Sequence, residues 1–186
     1  MSKKVLVISG HTNLKEDSLA NKTILNSLKN ELLPEAEYRF LSDLYPDYQI
    51  DVNAEQEKLV NADIIVLQYP IFWYSTLSLL SKWFEDVFVF GFSHGTGEAL
   101  KGKKLIVSLT TGAPEAAYTK EAGATIEDLL APIRQTAQLT KMDFEGHIVT
   151  YGVSFSMRNN PDLREQMVER AEKHATEVAQ KVKDLN

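Results

Sequence analysis

Apolar residues collect in five short blocks separated by longer stretches with helical spacing. Val5-Leu6-Val7-Ile8 is a continuous apolar run rich in β-branched residues that ends in Ser9-Gly10-His11. Such a run suits a strand buried on both faces, as in a parallel sheet. Ile64-Ile65-Val66-Leu67 and Leu105-Ile106-Val107, followed by Leu109, carry the same signal. Tyr38–Leu41 and a strand opening at Ile148-Val149 complete the set. Between the blocks, Ile24, Leu25, Leu28 and Leu32 share one helical face, with Ser18 as N-cap and Pro34 as the stop. An irregular stretch over 43–48 precedes a polar helix over about 53–61. Leu77, Leu80, Phe84 and Phe88 form one stripe, which Leu79, Trp83 and Val87 widen. Ile126, Leu129, Leu130, Ile133 and Ala137 predict a further helix. A last helix starts at Asn160-Pro161, where proline fits the first helical position, and runs through Met167, Ala171 and Val178 to Leu185.

Strands alternating with helices predict right-handed β-α-β units, and so an α/β fold with a doubly wound parallel sheet. No repeat, linker or low-complexity tract divides the chain, so a single domain over 1–186 is expected. In such sheets ligands bind beyond the carboxyl ends of the strands. Three loops there are candidates: 10–21, 69–74 and 110–118.

The first loop, GHTNLKEDSLAN, has no Gly-x-Gly-x-x-Gly and no Gly-Lys-Ser/Thr, so dinucleotide and P-loop fingerprints do not apply. It offers His11, Thr12, Ser18 and Asn21 beside the open N–H groups of a helix N-terminus, a combination able to hold a phosphate. The second loop crowds Tyr69, Phe72, Trp73 and Tyr74 around Pro70. A core helix would spread aromatics along a stripe; a cluster at a sheet edge suits a wall for a flat ligand. The third loop, TTGAPEAAY, sets two hydroxyls and a glycine at a strand end, where backbone groups can reach a planar ligand's polar edge. Each loop alone also reads as an ordinary turn. Together they match flavin mononucleotide, FMN, with its phosphate, flat tricycle and pyrimidine edge.

Composition narrows the field further. The chain has 186 residues, 44% hydrophobic and 25% charged, as in ordinary globular proteins. A net charge of −6 argues against a general nucleic-acid binder, which needs a basic face. Without cysteine there are no disulfides, thiolate metal sites or thiol nucleophiles. His94, His147 and His174 lack metal-ligand spacing, and no metal site is expected. The first apolar run is too short for a secretion signal, and nothing approaches the roughly 20 residues of a membrane span, so a cytoplasmic protein is expected.

The stretches QYPIFWYSTLSLLSKWFEDVF, LYPDYQIDVNAEQEKL and TTGAPEAAY resemble the flavodoxin-like NAD(P)H:quinone oxidoreductase family. The likeness is strongest to the bacterial ancillary oxidoreductases of glutathione-regulated potassium efflux. It implies a five-stranded sheet in the order 2-1-3-4-5 with helices on both faces, and a homodimer with flavins at its interface. It also implies ping-pong hydride transfer from NAD(P)H through flavin to a quinone, and a membrane potassium-efflux transporter as a partner. By position, His11, Ser18, Leu19, Ala20 and Asn21 would hold the flavin phosphate end. Pro70, Ile71, Phe72, Trp73 and Tyr74 would meet the isoalloxazine, and Thr110, Thr111, Gly112 and Ala113 its pyrimidine edge. Tyr118 matches a tyrosine that supports charge on reduced flavin, but the histidine that assists it in animal relatives is missing from 119–123. FMN is preferred over FAD because the C-terminal segment that covers an adenine half in longer relatives is not seen.

A response-regulator receiver shares the strand order but needs acidic residues where Gly10-His11 and Gln68-Tyr69 stand. An electron-carrying flavodoxin and a regulatory flavoprotein subunit stay open as alternatives. A carrier's phosphate loop is normally a compact Thr/Ser-x-Thr-Gly-x-Thr, unlike this longer one. The wide apolar surface of the helix after the aromatic loop carries one more expectation: a lone chain would leave it exposed, so a second copy should cover it.

Overall fold

The computed structural model describes residues 2–186. Five parallel strands, β1 (Val5–Ser9), β2 (Glu37–Phe40), β3 (Ile64–Pro70), β4 (Lys104–Thr110) and β5 (Asp143–Thr150), form one sheet in the order β2-β1-β3-β4-β5. Helices cover both faces, because alternate residues of every central strand are apolar in both directions. Val7, Ile64, Val66, Ile106 and Ile148 pack under α2 (Leu19–Ser27) and α8 (Pro161–Asp184). Leu6, Ile8, Ile65, Leu67, Leu105, Val107 and Leu109 form the opposite core. No helix among the described residues is long and apolar enough to cross a membrane.

Several elements differ from the sequence expectation, each for a local reason. The first loop contains a single helical turn, α1 (Leu14–Asp17), because the Asn13 side chain accepts the Glu16 N–H. The helix begun at Ser18 widens into a π-helical turn over Leu28–Leu32, where the Leu33 N–H reaches the Leu28 carbonyl at 2.7 Å. Strand β2 gives up Leu41 to the short helix α3 (Leu41–Leu44), which occupies the first part of the expected irregular stretch. The polar helix is α4 (Val52–Asn61), capped by Asp51. The expected helix over 126–137 is two helices, α6 (Ile126–Leu129) and α7 (Ala131–Leu139), meeting at Leu130 just before Pro132. Strand β5 starts at Asp143, five residues before Ile148. It is an edge strand, and Asp143, Glu145 and His147 hide its apolar alternation.

The helix after the aromatic loop, α5 (Ser78–Val87), corrects the argument for a second copy. Leu77, Leu79, Leu80, Trp83 and Val87 are all buried within the single chain, and Phe84 and Phe88 are half-buried against the same core. The helix packs beside α3 and α4 in the same core, with Phe92 and Leu100 of the following loop in contact with the same cluster. Its wide apolar girth is therefore used up inside the fold, and no partner is needed to cover it.

Trp83 also supplies a polar contact there. Its Nε1–H donates to Glu55 Oε2 at 2.9 Å, and Glu55 is fully buried. The other carboxylate oxygen accepts from the Tyr45 hydroxyl at 2.6 Å and from the Arg39 guanidinium, so the buried charge is paired and hydrogen-bonded.

Candidate cofactor-binding site

The three loops singled out in the sequence meet at the carboxyl edge of the sheet around one cleft of about 440 Å³. Its walls include all the predicted site residues except Thr111. That volume lies within the usual range for small-molecule sites.

The first wall begins at Gly10, whose N–H is bonded to the Gln68 carbonyl at 2.9 Å. A side chain here would meet the Leu80 side chain at 2.7 Å, so glycine suits the close approach of this turn to α5. His11 follows, 2% exposed, and its Nδ1 accepts the Asn13 N–H at 3.0 Å. A neutral ring in this arrangement carries its proton on Nε2. Ser18 caps α2, its hydroxyl oxygen accepting from the Asn21 N–H at 3.1 Å and the Asn21 side-chain amide at 3.0 Å. Leu19 and Ala20, the first two residues of α2, complete this end of the cleft.

The aromatic loop divides in two. Tyr69 turns into the core and is 2% exposed, with burial raising its phenol pKa, so it forms no part of the wall. Beyond it, the Ile71 N–H is tied to the Thr110 carbonyl at 2.8 Å, which anchors the loop to β4. Phe72 to Ser75 then make a tight turn closed by the Ser75 N–H to the Phe72 carbonyl at 3.1 Å. Its two central residues, Trp73 and Tyr74, have φ of 51° and 60°, the signs of a type I′ turn. The turn projects Trp73 outward, 94% exposed at the cleft rim, while Phe72 meets the edge of His11.

In the third loop Thr110 faces the cleft, whereas Thr111 is turned under it. The Thr111 hydroxyl donates to the Ala113 carbonyl at 2.8 Å and its N–H to the Thr150 carbonyl at 2.9 Å. Thr111 therefore shapes the loop and does not line the cleft. Gly112 does line it, with no protein atom nearer than 3.9 Å to where a side chain would begin. The Tyr118 ring lies beside that of Tyr151, their centroids 5.8 Å apart.

A fourth loop, after β5, was missed. It brings Val153, Ser154, Phe155 and Arg158 to the cleft, and Met167 of α8 joins them. The Gly152 and Val153 N–H groups bond to the Ala113 and Thr111 carbonyls, joining this loop to the third. The Arg158 guanidinium stacks 3.5 Å from the Phe155 ring centre and donates to the Glu16 carbonyl at 3.2 Å, linking the fourth loop to the first. The signal was available: β5 is parallel to the others, so whatever follows it must emerge at the same edge.

Beneath the cleft, the α2/α8 face of the sheet changes from apolar to polar. Gln68, Ser108, Thr110 and Thr150 replace the aliphatic residues of the layers below, with Asn21 and His174 packed onto them from the helices. His174 is 1% exposed, and burial lowers its pKa to about 4. Its two ring nitrogens lie within hydrogen-bond reach of the Ser108 and Thr150 hydroxyls.

These walls suit the cofactor read from the sequence. The end built from Ser18 and the start of α2, with Asn21 held behind them, offers donors, and no Asp or Glu among the described residues lines the cleft to repel an anion. The remaining wall is apolar and aromatic. The chain belongs to the flavodoxin-like fold family, whose model matches residues 3–175. It is 40% identical over 152 residues to an uncharacterized NAD(P)H oxidoreductase, YrkL of Bacillus subtilis, covering 80% of this chain and 86% of that one. It is 42% identical over 134 residues to KefF of an Enterobacter species, an ancillary protein of glutathione-regulated potassium efflux, covering 72% and 74%. Among solved structures, general stress protein 14 of Treponema denticola in complex with FMN superimposes with a TM-score of 0.84 at 27% identity, over 96% of this chain and 99% of that one.

Proposed function

We propose that this protein is an FMN-dependent NAD(P)H oxidoreductase that reduces quinones or similar flat electrophiles by ping-pong transfer. The observation that carries the reading is the meeting of a donor-rich helix N-terminus, an aromatic wall and the Thr110–Ala113 loop around one cleft. When bound, the flavin takes a hydride from NAD(P)H and passes it to the acceptor. The protein's share is placement. Ser18, Asn21, His11 and the first amides of α2 hold the phosphate end. Phe72, Trp73 and Tyr74 flank the ring and keep water from one side of it, and the 110–113 loop takes its polar edge. Tyr118 donates a hydrogen bond toward charge at that edge. In this reading Arg158, which bridges the first and fourth loops, keeps the cleft closed on its open side.

Nicotinamide and acceptor would occupy the same apolar mouth in turn, which is what alternating transfer requires. A homodimer fits the exposed aromatics of this mouth, Trp73, Tyr74 and Phe155, better than it fits α5. A cytoplasmic location, with a potassium-efflux transporter as partner, follows the likeness to KefF. The decisive experiment is the absorbance spectrum of the purified protein, with released cofactor identified by mass and NAD(P)H oxidation followed with and without a quinone. A colourless protein that takes up no added flavin would end the reading. A large stable semiquinone population on reductive titration would favour an electron carrier instead.

A further inference from the structure

Under the cleft runs a buried chain of hydrogen bonds from α8 to the start of α2. Thr150 Oγ1 lies 2.8 Å from His174 Nδ1, and His174 Nε2 lies 2.7 Å from Ser108 Oγ. The Ser108 hydroxyl donates to Gln68 Oε1, and Gln68 Nε2 donates to Asn21 Oδ1 at 2.9 Å. Asn21 Nδ2 then donates to both Ser18 Oγ and Thr110 Oγ1, each at 3.0 Å. Every link after the histidine runs in one direction, toward the cleft.

We propose that His174, neutral and protonated on Nε2, is a positioning residue that sets the direction of this chain and so turns the Ser18 hydroxyl outward as a donor to an anionic group in the cleft. The proposal rests on reading that end of the cleft as the flavin phosphate site. A neutral imidazole has one donor nitrogen and one acceptor. With the proton on Nε2, Ser108 must accept from His174 and send its own proton to Gln68. That fixes the Gln68 amide, which fixes the Asn21 amide. Ser18 then accepts from both the Asn21 N–H and its side-chain amide and has its single proton left for the cleft, while Thr110 accepts from the same amide.

The opposite tautomer reverses everything. Ser108 would donate to the histidine, both amides would turn over, and Asn21 Oδ1 would face the two hydroxyls and take their protons. Only lone pairs would then point at an anion, which can use donors alone. In the arrangement observed, Asn21 Oδ1 accepts from Gln68 at 2.9 Å, and the Thr110 hydroxyl reaches the same oxygen only at 3.3 Å. The two directions thus differ in what they offer a phosphate at this end: the Ser18 donor or none. An imidazole buried between two hydroxyls can hold one direction because charging it is costly there.

Two measurements test this on the whole protein. Nitrogen-15 NMR of histidine-labelled protein without added flavin should find the buried His174 ring neutral, with its proton on Nε2. A proton on Nδ1, or a charged ring at neutral pH, overturns the proposal. Binding of FMN and of riboflavin, which lacks the phosphate, should be titrated for wild type, His174→Leu and His174→Gln. His174→Leu should weaken FMN roughly tenfold, the scale of weakened hydrogen bonds to a charged group, while riboflavin changes by less than about twofold. His174→Gln, which keeps an N–H donor and an acceptor oxygen, should recover most of the FMN loss. Equal losses for both flavins would mark general damage and overturn the proposal, as would an unchanged FMN affinity in His174→Leu. Should neither flavin bind wild type, the cofactor reading falls, and the tautomer still decides the direction of the chain.

Discussion

Trp73 and Tyr74 hold left-handed backbone conformations that glycine or asparagine usually fills, at roughly 1–2 kcal/mol each, and Trp73 packs against almost nothing within the chain. Trp73→Gly should therefore raise the unfolding free energy by about 1 kcal/mol in chemical denaturation while weakening flavin binding. Destabilisation by the same change would mean that the ring supports the fold. Ser9 is the counterpart in the core. Its buried hydroxyl has no hydrogen-bond partner among the described residues, although it sits in the same layer as Gln68 and Ser108. Ser9→Ala should leave the fold equally stable or up to about 1 kcal/mol more so; a loss above that would reveal a partner such as bound water. Aromatic crowding at 72–74 was legible in the sequence, because such a run at a strand end has few structural uses. The downward turn of Tyr69 was not, since side-chain direction at a strand's last residues depends on register. Thr111 was misplaced for the same reason, being one residue out of phase with Thr110.

Among elements, α5 teaches most. Its residues predicted an exposed apolar surface, and the fold buries them by packing α3, α4 and the 89–100 loop against the same core. Leu79→Glu and Trp83→Glu should accordingly abolish folding, seen as lost cooperative unfolding, and should not yield a folded monomer. A gentler probe is Trp83→Phe, which keeps most of the ring but leaves Glu55 Oε2 without its donor. It should cost about 1–3 kcal/mol, the scale for an unpaired buried acceptor. On the other face, α8 delivers His174, whose depressed pKa links stability to pH. The unfolded chain, with an ordinary histidine, takes up a proton as pH falls through about 6.5, whereas the folded chain resists until about 4. Stability should therefore fall across this window, by on the order of 3 kcal/mol in full. Ser108 and Thr150 do not titrate there, so His174→Gln should flatten the profile between pH 4 and 6.5. An unchanged slope would assign the loss to carboxylates. The central strands were readable because both their faces are apolar. The edge strands β2 and β5 were blurred because one side of each meets water and carries charge.

For the whole molecule, the doubly wound parallel sheet and the edge at which to look for a site were read from strand–helix alternation, since topology sends every strand's following loop to one edge, while the strand order came from the family resemblance. What alternation could not show is which of those loops close together. The fourth loop escaped notice because Gly152 to Asn160 has no composition that marks a ligand, and its role comes from position. Assembly is also decided at this scale. Light scattering at micromolar concentration should give twice the mass of one chain, and Tyr74→Asp or Phe155→Asp should reduce it. A wild-type monomer with full NAD(P)H oxidation would reject a shared site.

The two tryptophans occupy opposite extremes of environment: Trp83 is sealed in the core and Trp73 stands almost wholly in water. Their emission should separate into a blue component that acrylamide barely quenches and a red one that it quenches readily. The red component alone should fade when an absorbing ring settles beside the cleft rim. The protein thus carries a built-in optical gauge of occupancy, with an internal reference that reports only on whether the chain is folded.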